Sequence, residues 1–159
     1  MVKIQSPWLL TTIGSCSFKL LINTILGTLS KVETDKYDLI LTNPPYVTSG
    51  SSNYKHAIKD DGKLSNFYKI KSLGIEGLFL QWVIRSLKPS KKALVLIIPY
   101  EILNRLNDDK LRTFINEECI IDGIISLPKK AFYRNLIKTY ILVLTKKQRK
   151  NQKLKEKSI

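Results

Sequence analysis

Apolar residues fall along this chain in two alternating periods. Tyr37-Asp38-Leu39-Ile40-Leu41-Thr42 is short, β-rich and apolar, which predicts a strand over 37–43 buried on both faces. Ile75, Leu78, Phe79, Trp82, Val83 and Leu87 recur at helical spacing and predict a helix whose apolar stripe is core. That helix ends at Lys88-Pro89, because the residue before a proline avoids the α region. Residues 93–98, "ALVLII", predict a second buried strand. Asn107 or Asp108 can cap a following helix that runs to about Glu118 with Leu111, Phe114 and Ile115 inward. Residues 120–127 and 139–145 predict a third and a fourth strand. Residues 47–72 are rich in Ser, Gly, Asn and Lys and read as a long loop, of the kind that is usually functional or mobile.

Strands alternating with helices imply an α/β fold with a parallel sheet, about four strands of it within 37–145. No helical crossover separates the last two strands, so the fourth is expected to run antiparallel. Before residue 37 the pattern is ambiguous. Phe18, Leu21, Ile22, Ile25, Leu26 and Leu29 fit one helix face, and equally an irregular strand. The 37–43 strand needs a neighbour, since an apolar strand at a sheet edge invites pairing with another chain. Either residues 8–29 cover it, or a partner does, or the protein is poorly soluble.

Composition narrows the classes. At 159 residues the chain is one domain by size, and 43% hydrophobic residues suffice for a core. Cys16 and Cys119 have no metal-ligand spacing, and His56 stands alone, so no metal site is expected; buried thiols in a reducing cytoplasm are. The start shows no signal peptide, and no apolar run reaches membrane-spanning length. Charge changes the picture most. Lys and Arg number 27 against 13 acids, a net charge of +14 that attracts polyanions. Lysine-rich composition explains part of it, and part is local: residues 146–159 hold seven basic residues and one Glu. Lys146, Lys147, Arg149 and Lys150 are the candidate nucleic-acid contacts, with a solvated, idle tail as the equal alternative.

Chemistry concentrates at Asn43-Pro44-Pro45-Tyr46, directly after the first predicted strand. In parallel α/β sheets ligands bind at that carboxyl end. Asn43 brings an amide oxygen, and Pro44 has a carbonyl but no N–H, so it only accepts. Two prolines stiffen the loop, and Tyr46 offers a ring for stacking. Such groups suit the holding of a flat, amino-bearing base while its nitrogen is alkylated.

An Asn-Pro-Pro-Tyr motif after "YDLILT" resembles the catalytic motif of S-adenosylmethionine-dependent amino-methyltransferases, above all the adenine-N6 DNA methyltransferases of type I restriction–modification systems and their type II relatives. The resemblance continues through "GLFLQWVIRSLKPSKKALVLIIPYEIL", "LRTFINEECIIDGIISLPKKAF" and "IKTYILVLTKK", about residues 37–147. It implies a partial Rossmann-like methyltransferase sheet that lacks the N-terminal donor-binding strands. It implies S-adenosyl-L-methionine as cofactor, with Asn43 and Pro45 touching it, and Asn43, Pro44, Pro45 and Tyr46 as the catalytic loop. A flipped adenine would stack between Tyr46 and Phe132, with Tyr133 a weaker choice; an ordinary core ring is an equal reading of Phe132.

One part of the family pattern is missing. No G-x-G turn precedes Asn43, and Gly27-Thr28-Leu29 lacks the acid that follows the glycine in the family. The chain is therefore expected to bind the donor weakly or not at all, as a truncated or split enzyme would. The organisation expected is an unassigned segment 1–36, a catalytic portion 37–147 and a basic tail 148–159. Expected partners are DNA, a complementary N-terminal half or a specificity subunit, with no membrane. Two other classes stay open: an inactive remnant or non-catalytic basic DNA-binding domain, and a protein-glutamine or rRNA amino-methyltransferase, for which "IISLPKKAF" is the less fitting stretch.

Overall fold

The computed structural model describes residues 8–13, 16–22, 29–43, 51–72, 74–128 and 138–148. Six strands form one sheet: β1 (Trp8–Ile13), β2 (Cys16–Ile22), β3 (Tyr37–Asn43), β4 (Leu87–Pro99), β5 (Cys119–Ser126) and β6 (Thr139–Lys146). Their spatial order is β1-β2-β3-β4-β6-β5. β2, β3 and β4 are parallel, whereas β6 runs antiparallel to both β4 and β5. Four strands within 37–146 and an antiparallel last one are what the apolar pattern predicts.

The amino-terminal ambiguity resolves as strand. β1 and β2 form a tight antiparallel hairpin, with Ile13 opposite Cys16, and β2 then pairs in parallel with β3. Thus residues 8–22 supply the neighbour that β3 requires. The sheet is not cut off at β3, and the segment before residue 37 is part of it.

Residues 47–72 are not the continuous loop their composition suggests. They contain α1 (Ser51–Asp60) and α2 (Gly62–Phe67). Asp61 caps α2, its Oδ1 accepting from the amides of Lys63 (2.8 Å) and Leu64 (3.0 Å). Sparse but well-spaced apolar residues anchor the segment: Ile58, Leu64, Phe67, Tyr68 and Ile70 pack on or within the core. Polar helices with few anchors are easily read as loop, since packing rather than propensity forms them.

α3 (Ile75–Ser86) is the central helix, buried almost all round. Trp82 is wholly buried, its ring beside Tyr37 and its Nε1 donating to the Lys31 carbonyl at 3.0 Å. β4 starts at once after α3, earlier than the pattern suggests. Leu87 pairs with Tyr37, and the ladder resumes at Lys92 opposite Leu39 after a bulge that holds Ser90 at φ 62°. Beyond β4 come α4 (Tyr100–Asn104) and α5 (Asp109–Glu118), the latter burying Leu111, Phe114 and Ile115 as predicted. Asp108 sits at the amino end of α5, but its carboxylate binds Arg105 Nε (2.6 Å) instead of capping the helix. No helix among the described residues is long and apolar enough to cross a membrane.

Three buried groups have to stay protonated in the fold. Burial pushes the Cys119 thiol up to about 12, partly opposed by Lys146. Burial also raises the Tyr37 phenol, which donates to Glu33 (2.9 Å), and the Tyr68 phenol, which donates to the Leu29 carbonyl (2.8 Å). In the unfolded chain such groups ionise from about pH 8.5 for Cys and about pH 10 for Tyr. Folded values above unfolded ones mean that this stability is complete below about pH 8.5 and is lost as pH rises further. The urea midpoint should therefore fall steadily above about pH 9; a midpoint that rises there would contradict the burial of these groups.

Candidate active site and nucleic-acid contacts

β3 delivers Asn43 to the carboxyl end of the sheet with a strand on each side. Asn43 lies opposite Ile22 of β2, and Thr42 lies between Leu21 of β2 and Val95 of β4. Parallel pairing on both edges fixes where the strand ends. Tyr37, Ile40 and Thr42 are buried, while Leu39 and Leu41 are half-buried. Thr42 Oγ1 is buried with no hydrogen-bond partner among the described residues. An orphaned hydroxyl one residue before the motif is unusual, because buried polar atoms are normally satisfied.

At the other end of β3, Asp38 is held by Lys88 (2.8 Å) and Lys91 (3.5 Å). These pairs tie the β3 start to the bulge that opens β4 and spend the charge of both lysines there. Pro44, Pro45 and Tyr46, and Phe132 and Tyr133 with them, lie outside the described residues, as do Arg149 and Lys150. Of the four motif residues, the structure describes the backbone of Asn43 alone.

Lys146 requires a correction. It is expected to face nucleic acid, yet it is 2% exposed. Its ammonium donates to Asp35 Oδ1 (2.7 Å), the Leu87 carbonyl (2.7 Å) and the Arg85 carbonyl (3.2 Å). The reason is local. α3 ends at Ser86 with carbonyls that lack helical partners. A cation at a helix carboxyl end satisfies them and suits the dipole. Lys147 is exposed, with its Nζ on the Asn116 carbonyl.

One concavity escapes a reading by motif. A cavity of about 590 Å³ opens between α1, α2, residues 68–72 and the first turn of α3. Lys55, Lys59, Lys69 and Lys71 line it. The only sequence signal is the lysine spacing, 55 and 59 sharing a helix face and 69 and 71 alternating, within a segment whose helices were not apparent.

The sheet order, with parallel β2, β3 and β4 and antiparallel β6, defines the class: a Rossmann-like S-adenosylmethionine-dependent methyltransferase sheet. The model of the N-6 DNA methylase family matches residues 10–158, and the chain belongs to that family. Among solved structures, it resembles the methyltransferase subunit of a type I restriction–modification system from Streptococcus thermophilus, at 28% identity and a TM-score of 0.54, over 75% of this chain and 25% of that one. A modification subunit from Vibrio vulnificus gives 21% identity and a TM-score of 0.55, over 77% of this chain and 26% of that one. A Listeria monocytogenes protein described as a class I S-adenosylmethionine-dependent methyltransferase gives 21% and 0.53, over 77% and 35%. This chain therefore spans about a quarter to a third of the length of these three structures. No curated protein matches it.

The residues of this chain do not fit the methyl donor. In the family a Gly-rich turn and an acid hold it. Here the strand beside β3 is β2, which enters from a hairpin. The stretch after β2, residues 23–28, reads Asn-Thr-Ile-Leu-Gly-Thr, with one glycine and no carboxylate.

Lys146→Met should separate structure from binding. Breaking a buried charge contact costs about 3 kcal/mol, so the urea midpoint should drop while affinity for DNA at low salt stays the same. Unchanged stability together with lost DNA binding would put the ammonium outside.

Proposed function

We propose that this chain is the base-holding portion of an adenine-N6 DNA methyltransferase of a restriction–modification system. The family match over 10–158, with Asn43 at the carboxyl end of a strand paired on both edges, is the observation that carries the reading. It also favours the DNA enzymes over the protein-glutamine and rRNA groups.

The lone pair of an exocyclic amine is conjugated with the ring and is a weak nucleophile. Asn43 Oδ1 and the Pro44 carbonyl accept hydrogen bonds from its two N–H groups and draw the nitrogen toward tetrahedral geometry. The lone pair is thereby freed without a strong base; position and electrostatics supply the acceleration. The amine of a base inside a duplex is out of reach, so the base must leave the stack. Tyr46 takes one face of it, and Phe132 the other. Pro44 and Pro45 keep the loop open at no cost in amide donors. The donor site comes from a segment that this sequence does not contain, a complementary half, with a specificity subunit to choose the DNA site. Lys147, Arg149 and Lys150 add attraction without sequence preference.

A second reading, a non-catalytic DNA-binding remnant, is favoured by the missing donor turn. One experiment in the source organism, with every natural partner present, separates the two. Asn43→Ala at the chromosomal copy should erase one sequence-specific class of N6-methyladenine from genomic DNA. Tyr46→Ala should weaken base capture by about 1–3 kcal/mol, the worth of one base–aromatic stack, and Tyr46→Phe should keep most of the methylation. An unchanged methylation pattern in Asn43→Ala would overturn the catalytic reading and select the remnant.

A further inference from the structure

The cavity beside α1 and α2 is built for a polyanion. Lys55 and Lys59 stand one turn apart on α1, and Lys69 and Lys71 face them from the strap that follows α2. No carboxylate is among its described lining residues. Lys59, Lys69 and Lys71 are exposed and join no ion pair among the described residues. Beneath them lies an apolar floor that includes Tyr68 and Leu78. About 590 Å³ is the size of a small-ligand pocket and admits a nucleotide unit.

The shape is held rather than accidental. Gln81 of α3 clamps the strap, its Oε1 accepting from the Ile70 amide (3.0 Å) and its Nε2 donating to the Ile70 carbonyl (2.9 Å). Lys55 Nζ donates to the Ser72 carbonyl at 3.0 Å and closes the far side. Tyr68 is fixed by its bond to Leu29.

Its place follows from the topology. β4 is parallel to β3 and begins directly after α3, so α3 must run back against the strands. The first turn of α3, with Leu78, thus lies toward the end of the sheet where Asn43 emerges. α1 begins five residues after Tyr46. The charge is polarised along the same axis. At the opposite end Lys88 and Lys91 are neutralised by Asp38, and Lys92 reaches Asp122 at 3.8 Å.

We infer that this cavity binds the sugar–phosphate backbone of the nucleic acid strand whose base enters the Asn43 loop. Phosphates lie against Lys59, Lys69 and Lys71, and a sugar or base edge lies over the apolar floor. The inference rests on the function proposed above and deepens it by assigning the strand a track.

The test is anisotropy of a fluorescein-labelled oligodeoxythymidine against the full chain over a series of salt concentrations. A triple variant, Lys59→Gln with Lys69→Gln and Lys71→Gln, is set beside an equal-charge control, Lys91→Gln with Lys92→Gln and Lys110→Gln. Each phosphate contact on a single strand contributes about 0.7 to the slope of log affinity against log salt. The cavity variant should therefore lose about 2 from that slope, and the control clearly less. Lysine acetylation of the wild-type chain supplies a readout that needs no variant: the strand should protect Lys59, Lys69 and Lys71. Equal losses in both variants, or no protection of the three lysines, would overturn the cavity and leave the proposed function standing. A wild-type chain that binds no strand at low salt would overturn both.

Discussion

Lys146 gathers the segments on which the register of the sheet depends. Its ammonium joins the last residue of β6 to Asp35 before β3 and to the carbonyls of Arg85 and Leu87 where α3 becomes β4. Two backbone bonds reinforce the knot, from the Asp35 amide to the Arg85 carbonyl (2.9 Å) and from the Lys36 amide to the Ser86 carbonyl (2.7 Å). A one-residue slip of a strand would turn every side chain to the other face. Fixing the entry to β3 therefore fixes, six residues on, the exit at Asn43. The Trp82–Tyr37 contact and the Asp38 ion pairs act on the same end of the strand. Order at the amino end of β3 thus sets the position of its carboxyl end, where the Thr42 hydroxyl has no partner among the described residues.

Much of this was legible in the sequence, for physical reasons that differ between elements. α3 is buried nearly all round, and the described residues of β3 are buried or half-buried, so their apolar patterns carry the signal directly. The order of strands and helices then yields a parallel sheet, and the missing crossover between β5 and β6 yields the antiparallel turn. The chemistry expected of the motif rests on the residue types alone, because Pro44, Pro45 and Tyr46 lie outside the described residues. α1 and α2 were hidden because few of their residues touch the core, and the hairpin at 8–22 because a stripe such as Phe18, Leu21 and Ile22 serves a helix as well as a strand. Lys146 misled for another reason: nothing in a run of basic residues distinguishes the one whose stem reaches inward to a helix end from those that stay in water.

The distribution of charge joins the two halves of the functional argument. A net +14 says that polyanions are attracted but not where they sit. At the amino end of β3 and β4 lysines are paired with Asp38 and Asp122, and Lys146 is enclosed. Toward the other end, Lys59, Lys69 and Lys71 of the cavity are exposed. On the function proposed above, this chain supplies the acceptor half of a methyl transfer and another segment supplies the donor half; no G-x-G turn precedes Asn43.

Calorimetric titration of S-adenosyl-L-methionine into the purified chain tests that division most directly. The account predicts no saturable heat below the millimolar range, since neither the stretch after β2 nor Gly27-Thr28-Leu29 offers the glycines and acid that the donor needs. Saturable one-to-one binding with a micromolar Kd would contradict it, and would mean that the β1–β2 hairpin and the residues after it form a donor site of a different kind.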